Sequence, residues 1–379
     1  MKKILFSPAG KIHPSQHNLI NYPPEGYEFV VQKSRLDSMV HNSVVFDKLR
    51  LQVLDRLMPL NLVKGIIDSK SIPEDVDLVY AYNHVVLGKP YVVHVEWAHI
   101  LAGRGPFQFK LWGHYIDRLL RQPSCKRILT WTQLARESIS NLYSCTLDFK
   151  VNTIPPASPS KRLDRNYNRD KVRLLFMGSA NQANDFEEKG GWDALRVFAT
   201  LRERYGKTIE LIIRAKSPRH ISKNIVGVTW IENYLTEQEL DTLYKEADIF
   251  FFPSHLYQNT SVIEAMSYGL PVVTTLIGSS QMEYVEDQST GLVIADGSVF
   301  FRNGFPITET TNRHRFIKSI QALSYDRVEW LANATSQLIE SPNLRKQLGE
   351  NGKKEVDEGK FSIRRRNERL KEIFDEALA

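Results

Sequence analysis

Phe251-Phe-Pro-Ser-His-Leu-Tyr-Gln-Asn-Thr-Ser-Val-Ile-Glu-Ala-Met-Ser-Tyr-Gly-Leu-Pro-Val-Val-Thr-Thr275 is the most informative stretch of the chain. It reads as strand, loop, short helix, glycine stop and second strand. Thr260 or Ser261 is placed to cap the helix, because a hydroxyl accepts a free amide of the first turn, and Gly269 ends it before Pro271 opens the next strand. A helix beginning at the carboxyl end of a parallel strand presents unpaired N–H groups and a positive dipole end, which together receive an anion. The amides around Thr260, Ser261 and Val262 are the candidate donors. Glu264 falls one turn further on, where a carboxylate can bridge the vicinal hydroxyls of a ribose. A buried partner of a Lys or Arg, or a solvated side chain, is an equal reading of that residue alone.

Outward from this stretch, short β-branched runs alternate with helical patterns twice over. That alternation predicts βαβ units around parallel sheets buried on both faces. In the first half the expected strands are Ile4–Phe6, Glu28–Gln32, Leu78–Ala81, Tyr91–Val95, Arg127–Trp131 and Phe149–Ile154, with helices near 44–58, 107–121 and 133–142. In the second they are Val172–Met177, Glu210–Ile213, Val226–Ile231, Ile249–Phe252, Pro271–Thr275 and Leu292–Ile294. Between the halves, residues 155–170 hold prolines and little apolar content and read as a linker. The expected organisation is an α/β chain with a Rossmann-like domain over 1–154, a second over 171–355 and a final helix over 356–379. In that last helix Leu370, Ile373, Phe374, Ala377 and Leu378 share one face and must be buried, packing back toward the first domain.

The composition agrees. The 379 residues are 42% hydrophobic and 25% charged, which is globular, and at roughly 150 residues per domain the length predicts two domains. The formal charge of +6 is carried entirely by residues 1–160. Cys125 and Cys145 are too few for a disulfide framework and read as small core residues. Because nothing approaches about 18 unbroken apolar residues, neither a cleaved leader nor a membrane span is expected, and the reading is cytoplasmic.

The quoted stretch, together with Tyr234-Leu-Thr-Glu-Gln-Glu-Leu-Asp-Thr-Leu-Tyr-Lys-Glu-Ala-Asp-Ile-Phe250, Ser280-Gln-Met-Glu-Tyr-Val-Glu-Asp-Gln-Ser-Thr-Gly-Leu-Val-Ile294 and Ser341-Pro-Asn-Leu-Arg-Lys-Gln-Leu-Gly-Glu-Asn-Gly352, resembles the nucleotide-sugar domain of family 4 (group 1) glycosyltransferases. The resemblance covers about residues 171–379 well and the first half in outline. It implies a GT-B fold, with two Rossmann-like domains facing a cleft, and a retaining, metal-independent transfer from a nucleoside diphosphate sugar to a hydroxyl of a glycan or lipid-linked glycan. Glu264 matches the second glutamate of the family's Glu-x7-Glu motif, which holds the donor ribose. Lys189, in Lys189-Gly190-Gly191, matches the lysine on the donor pyrophosphate, and Gly10 matches the loop after the first strand that lies against the phosphates.

The leaving diphosphate gathers negative charge in the transition state, so donors placed beforehand at that oxygen lower the barrier. Lys189 and the amides of Thr260–Val262 are the candidates. Arg214 and Lys216, at a strand end, could add charge or be solvated.

Three positions depart from the family pattern. The first glutamate falls at Leu256 or near Tyr257. The arginine after the first glycine of the second domain is Ser179, following Gly178. The first-domain active-site histidine falls at Glu96, between His94 and His99, where a carboxylate can accept a hydrogen bond from an acceptor hydroxyl or sit in a salt bridge. His255, beside the missing glutamate, can bond a donor hydroxyl or be structural. These departures keep two other readings open: an inactive nucleotide-sugar-binding partner subunit, and a GT-B sugar-nucleotide epimerase.

Residues 97–150 carry eight Lys/Arg against three acids. Within them Leu111, Trp112, Tyr115, Ile116, Leu119 and Leu120 read as one helical face, with Phe107 and Phe109 at its start. The simpler reading is a helix packed on the sheet with a cationic solvent face. The sharper one is an anionic acceptor, or a peripheral contact with an anionic membrane at its inner face, presenting a lipid-linked acceptor. Nucleic acid is not expected, because no recognition module is present and the charge is not interleaved with stacking aromatics.

Overall fold

The structure, a computed structural model, describes the chain except residues 9–11, 13, 32–57, 104, 164, 180–182, 220, 257–259, 277–282, 296–300, 303–304, 307–312 and 322–324. The predicted helix near 44–58 and Gly10 lie outside the described residues. The chain divides into two units: Met1–Ala157 with Phe301–Thr310 and Ile363–Ala379, and Ser158–Phe300 with Thr311–Ser362.

Unit 1 is built on a parallel sheet of β1 (Lys2–Pro8), β2 (Tyr27–Val31), β3 (Leu78–Tyr82), β4 (Tyr91–His94), β5 (Cys125–Thr130) and β6 (Val151–Thr153), in the order β2-β1-β3-β4-β5-β6. Every residue of β3 and β4 is buried, which is why these strands read as unbroken apolar runs rather than alternating ones. The helix Ile363–Leu378 belongs to this unit: Leu370, Ile373, Phe374 and Ala377 are buried. Phe374 meets Tyr27 edge to face with ring centroids 5.2 Å apart. The Tyr27 hydroxyl donates to Asp375 (2.6 Å) and the buried Arg366 guanidinium to the Tyr22 carbonyl (2.7 Å).

Two sequence expectations need correction here. Phe149–Ile154 is not one strand. Cys145–Lys150 forms a 3₁₀ turn started by the Ser144 hydroxyl, and the Lys150 ammonium donates to the carbonyls of Leu120, Gln122 and Cys125 (2.8–2.9 Å), leaving Phe149 75% exposed. In the helix Pro106–Arg121 the buried residues are Gln108, Gly113, Ile116, Leu119 and Leu120. Phe107, Leu111, Trp112 and Tyr115, expected on the packed face, are exposed, because the helix turns its 116–119–120 stripe to the sheet and Gly113 lets the Phe109 ring close over it.

Unit 2 has β7 (Val172–Met177), β8 (Ile209–Arg214), β9 (Val228–Ile231), β10 (Ile249–Phe252), β11 (Val272–Leu276) and β12 (Gly291–Ala295), parallel and ordered β12-β11-β10-β7-β8-β9. The chain starts in the middle at β7, runs outward through β8 and β9, then returns to β10 on the other side. The order therefore reverses between β7 and β10, and in open α/β sheets the crevice at the carboxyl ends of that strand pair is where ligands bind. Part of the predicted linker is fastened to this unit. Arg165 donates to the carbonyls of Tyr268 (2.8 Å), Tyr244 (2.7 Å) and Ala247, so residues beyond Ala157 lie along unit 2 despite their loop-like composition.

Candidate active site

Three segments lie at the carboxyl ends of β7, β10 and β8, on and beside the reversal. The first is Lys189-Gly190-Gly191, which opens the helix Gly191–Tyr205. Gly190 has φ 84° and lies so close to the end of β10 that an added Cβ would stand 1.9 Å from the Pro253 carbonyl oxygen. At Gly191 a Cβ would meet the Phe186 ring at 2.3 Å. Only glycine fits either position, and at Gly190 the positive φ excludes most side chains independently. Backbone bonds complete the join: His255 N donates to the Glu188 carbonyl (2.9 Å) and Gly190 N to that of Glu187 (3.0 Å). Lys189, which is half-buried, is thereby held at the strand's carboxyl end.

Beneath this loop lies a buried charge cluster. Asp193, in the first turn of the same helix, is fully buried; its Oδ2 accepts from Arg327 Nε (3.1 Å) and lies 3.0 Å from His255 Nε2. Arg327 is 2% exposed and also reaches the Pro253 carbonyl (3.4 Å). Burial lowers the pKa of His255, which Asp193 only partly opposes. The structure places His255 in this cluster, facing Asp193 and buried, where it orders the turn after β10.

The second segment is the helix Thr260–Ser267. Val262, Ile263, Ala265 and Met266 are buried, which leaves Thr260, Ser261 and Glu264 on its more open side. Glu264 Oε2 accepts from the Tyr244 hydroxyl (3.0 Å). Tyr244 is fully buried and stacks on Tyr268 with centroids 4.9 Å apart. Tyr268 in turn donates to Asp241, which Lys161 pairs at 2.8 Å. Burial raises the Glu264 pKa, and the Tyr244 hydroxyl opposes that rise by stabilising the charged form.

The third segment is the end of β8. Arg214, paired in register with Met177, donates from Nη1 to the Gly178 carbonyl (3.1 Å), and its Nε, buried, has no hydrogen-bond partner. Its charge also acts on Glu264 and Tyr244. The guanidinium thus lies at Gly178, beside the position where the family pattern has its arginine and this chain has Ser179. Lys216 is exposed on the following loop. Leu256 is half-buried, its backbone amide bound by the Ser254 hydroxyl (3.0 Å), and Tyr257 lies outside the described residues.

Unit 1 carries the remaining candidate, Glu96. Its Oε1 accepts from the Tyr82 hydroxyl (2.5 Å) and its backbone amide donates to Asn83 Oδ1 (3.0 Å). Asn83 adopts φ 61°, a left-handed conformation that Asn tolerates, and joins the ends of β3 and β4 through its amide on the His94 carbonyl (2.8 Å). Burial raises the Glu96 pKa. The flanking histidines are core residues: burial lowers His94 to about 3 and His99 to about 4.

A family model described as glycosyl transferases group 1 matches residues 171–301, which span the three segments of unit 2. Those residues are similar to a group 1 glycosyltransferase domain. The whole chain has the GT-B fold, with two six-stranded parallel sheets, as do the solved structures it resembles. Sucrose-phosphate synthase from Thermosynechococcus elongatus is 12% identical with a TM-score of 0.62, each chain covered to 99%. HepE from Anabaena, solved with UDP-glucose, is 13% identical with a TM-score of 0.60, again covering 99% of each. TarM is 15% identical with a TM-score of 0.51; the match covers 79% of this chain but spans only 54% of TarM. No curated protein matches by sequence.

Tyr244, Asp193 and Arg327 were not among the residues singled out in the sequence. Tyr244 sits in a quoted motif, four residues after Leu240 of an amphipathic helix, and reads there as a core aromatic. Asp193 reads as ordinary first-turn acid. Only the fold brings Arg327 to it from 134 positions away.

Proposed function

We propose that the chain is a retaining glycosyltransferase of family 4 that moves a hexosyl group from a nucleoside diphosphate sugar to a hydroxyl of a glycan or lipid-linked glycan, at the cytoplasmic face of a membrane. The observation that carries this reading is the set of groups at the carboxyl ends of β7, β10 and β8, on and beside the order reversal. A half-buried lysine follows β7, an arginine with an unpartnered Nε ends β8, and a helix with a hydroxyl-supported carboxylate in it follows β10. A diphosphate needs the lysine, the arginine and the helix N-terminus, and a ribose needs the carboxylate.

In this reading Lys189 and the amides of Thr260, Ser261 and Val262 receive the diphosphate oxygens. Arg214 supplies the cation that Ser179 cannot. Glu264 binds the ribose with the oxygen that Tyr244 leaves free. Charge on the leaving group is met by these donors without a metal ion. Glu96, supported by Tyr82, accepts a hydrogen bond from the acceptor or the sugar. HepE has been solved with UDP-glucose, and the pneumococcal O-GlcNAc transferase GtfA with UDP and GlcNAc, which supports a nucleotide sugar as donor.

Calorimetry with nucleoside diphosphates tests the site. One of them should bind, and Glu264→Ala should weaken that binding by about tenfold or more, the loss of a charge-assisted pair of hydrogen bonds. Unchanged affinity in Glu264→Ala sinks the ribose assignment. Leu256 at the first-glutamate position favours a second reading, a subunit that binds the nucleotide without transferring sugar. Binding with neither transfer nor donor hydrolysis over a panel of nucleotide sugars would establish that one instead.

A further inference from the structure

The helix Pro106–Arg121 has an outward face that the fold of unit 1 does not use. Among the described residues, four large apolar side chains stand exposed on this one helix: Phe107 (56%), Leu111 (55%), Tyr115 (42%) and Trp112 (36%). With about 100° of rotation per residue, Phe107, Leu111 and Tyr115 form a stripe, each about one turn beyond the last. Lys110, His114, Arg118 and Arg121, all exposed, fall beside that stripe on the same arc. The helix has a single acid, Asp117. Its side chain is 13% exposed and is taken by Arg121 (2.7 Å) and the Ser144 amide (3.1 Å). The outward arc is therefore apolar and cationic, with no exposed carboxylate.

Neither helix packing nor solubility accounts for this pattern. The face that packs on the sheet is complete without it, with Ile116 and Leu120 fully buried. A solvated helix normally mixes acids with bases and breaks up apolar stripes. A further exposed aromatic lies on a neighbouring turn: Phe149 is 75% exposed on the Cys145–Lys150 turn, which is tied to the end of the helix by the Lys150 ammonium on the Leu120 carbonyl (2.9 Å).

We propose that this face docks unit 1 on an anionic lipid bilayer. The helix lies in the plane of the interface, with Phe107, Leu111 and Tyr115 at the boundary between headgroups and acyl chains and Lys110, Arg118 and Arg121 on lipid phosphates. Charge complementarity selects this occupant. A flat, negatively charged surface matches an arc that has cations and no acid, the long basic side chains keep their heads among headgroups while their stems cover apolar surface, and aromatic rings settle at the interface. The inference specifies how the proposed peripheral location is reached, but it stands on unit 1 alone and holds whether or not the chain transfers sugar.

Co-sedimentation of the full chain with phosphatidylcholine vesicles containing about a third phosphatidylglycerol tests it, with pure phosphatidylcholine vesicles as the contrast. Sedimentation with the anionic vesicles is expected, weakening as salt screens the charges. Each basic residue near an anionic surface contributes roughly fivefold in partitioning. The pair Lys110→Glu with Arg118→Glu should therefore reduce binding on the order of a hundredfold, and Leu111→Ser with Tyr115→Ser by tenfold or more. All four positions are exposed, so the variants should keep the parent's thermal midpoint and its nucleotide affinity by calorimetry. Failure to sediment with anionic vesicles at low salt overturns the proposal. So does equal binding by folded variants, or a parent that self-associates in ultracentrifugation and is made monomeric by the Leu111→Ser, Tyr115→Ser pair, which would make the face a contact between copies. Loss of nucleotide binding in the parent would count against the unit 2 site and leave the vesicle result to be judged separately.

Discussion

The two units use the same kind of sheet and arm its carboxyl edge differently. In unit 2 the edge is held by close backbone approach and buried charge: Gly190 pressed on the Pro253 carbonyl, with Asp193, Arg327 and His255 underneath. In unit 1 it is built from neutral rings. His84 accepts from the Ser7 hydroxyl at Nε2 (3.0 Å) and donates from Nδ1 to the Tyr82 carbonyl (3.0 Å); Tyr80 and His94 lie 2.5 Å apart at hydroxyl and Nδ1. A buried ion cluster fails badly when one member is removed. Neutral buried histidines tolerate substitution better and respond to acid. The two designs also suit different ligands, since fixed charge and rigid amides match a diphosphate whereas neutral donors and a single carboxylate match hydroxyls.

Acidification should have the largest effect, acting through three buried histidines in unit 1 and, among the described residues, through His255 in unit 2. Burial lowers His84 to about 4, His94 to about 3 and His99 to about 4, against an ordinary value near 6.5. The unfolded chain therefore binds protons first. The stability these groups contribute is fully present above about pH 6.5 and is lost as the pH falls toward 4. Between pH 7 and 5 each should cost about 1–2 kcal/mol, so that a chain stable at neutral pH loses on the order of 4 kcal/mol, read as a fall in the thermal midpoint. A midpoint flat over that range breaks the contrast, and a smaller fall in His94→Phe sharpens it by assigning part of the effect to one ring.

Asp193→Asn attacks unit 2 in the same currency. It removes a buried carboxylate that pairs with Arg327 and should destabilise by about 3 kcal/mol at neutral pH, measured by denaturant unfolding. Gly190→Ala should cost about 2–3 kcal/mol through the clash with Pro253 and the positive φ, with nucleotide affinity falling as Lys189 is displaced. Tolerance of either change would mean that the edge of unit 2 is no stiffer than that of unit 1.

The smallest expected effect is at Tyr244→Phe. Removing one hydroxyl from Glu264 Oε2 while keeping the stacked ring should weaken diphosphate binding by about 1 kcal/mol, roughly fivefold by calorimetry, with an unchanged thermal midpoint to within a degree or two. If the midpoint falls and the affinity does not, Tyr244 supports the core rather than Glu264.

Local rules carried much of the architecture. The strands of both sheets were legible because a parallel strand covered on both faces has to be apolar throughout, and the helix Thr260–Ser267 was legible at its end because a glycine stop, Gly269 with φ 70°, is a local signal. Lys189 and Glu264 could be named because each lies in a contiguous motif. Periodicity failed where neighbours chose the face. Phe107, Leu111, Trp112 and Tyr115 stand outside, and Phe149 lies in a turn instead of entering a strand, because Lys150 finds three carbonyls at the end of the helix and the start of β5.

What chain order determined, then, is the identity of the elements and the residues that cap or interrupt them, since those depend on interactions a few positions apart. Tertiary structure decided which side chains support the site: Arg327 under the lysine loop, Tyr244 on Glu264, Arg214 at Gly178. Each of these is a long-range contact, from 20 to 134 positions apart, whose stability comes from desolvation in a shared core, and no local pattern encodes that.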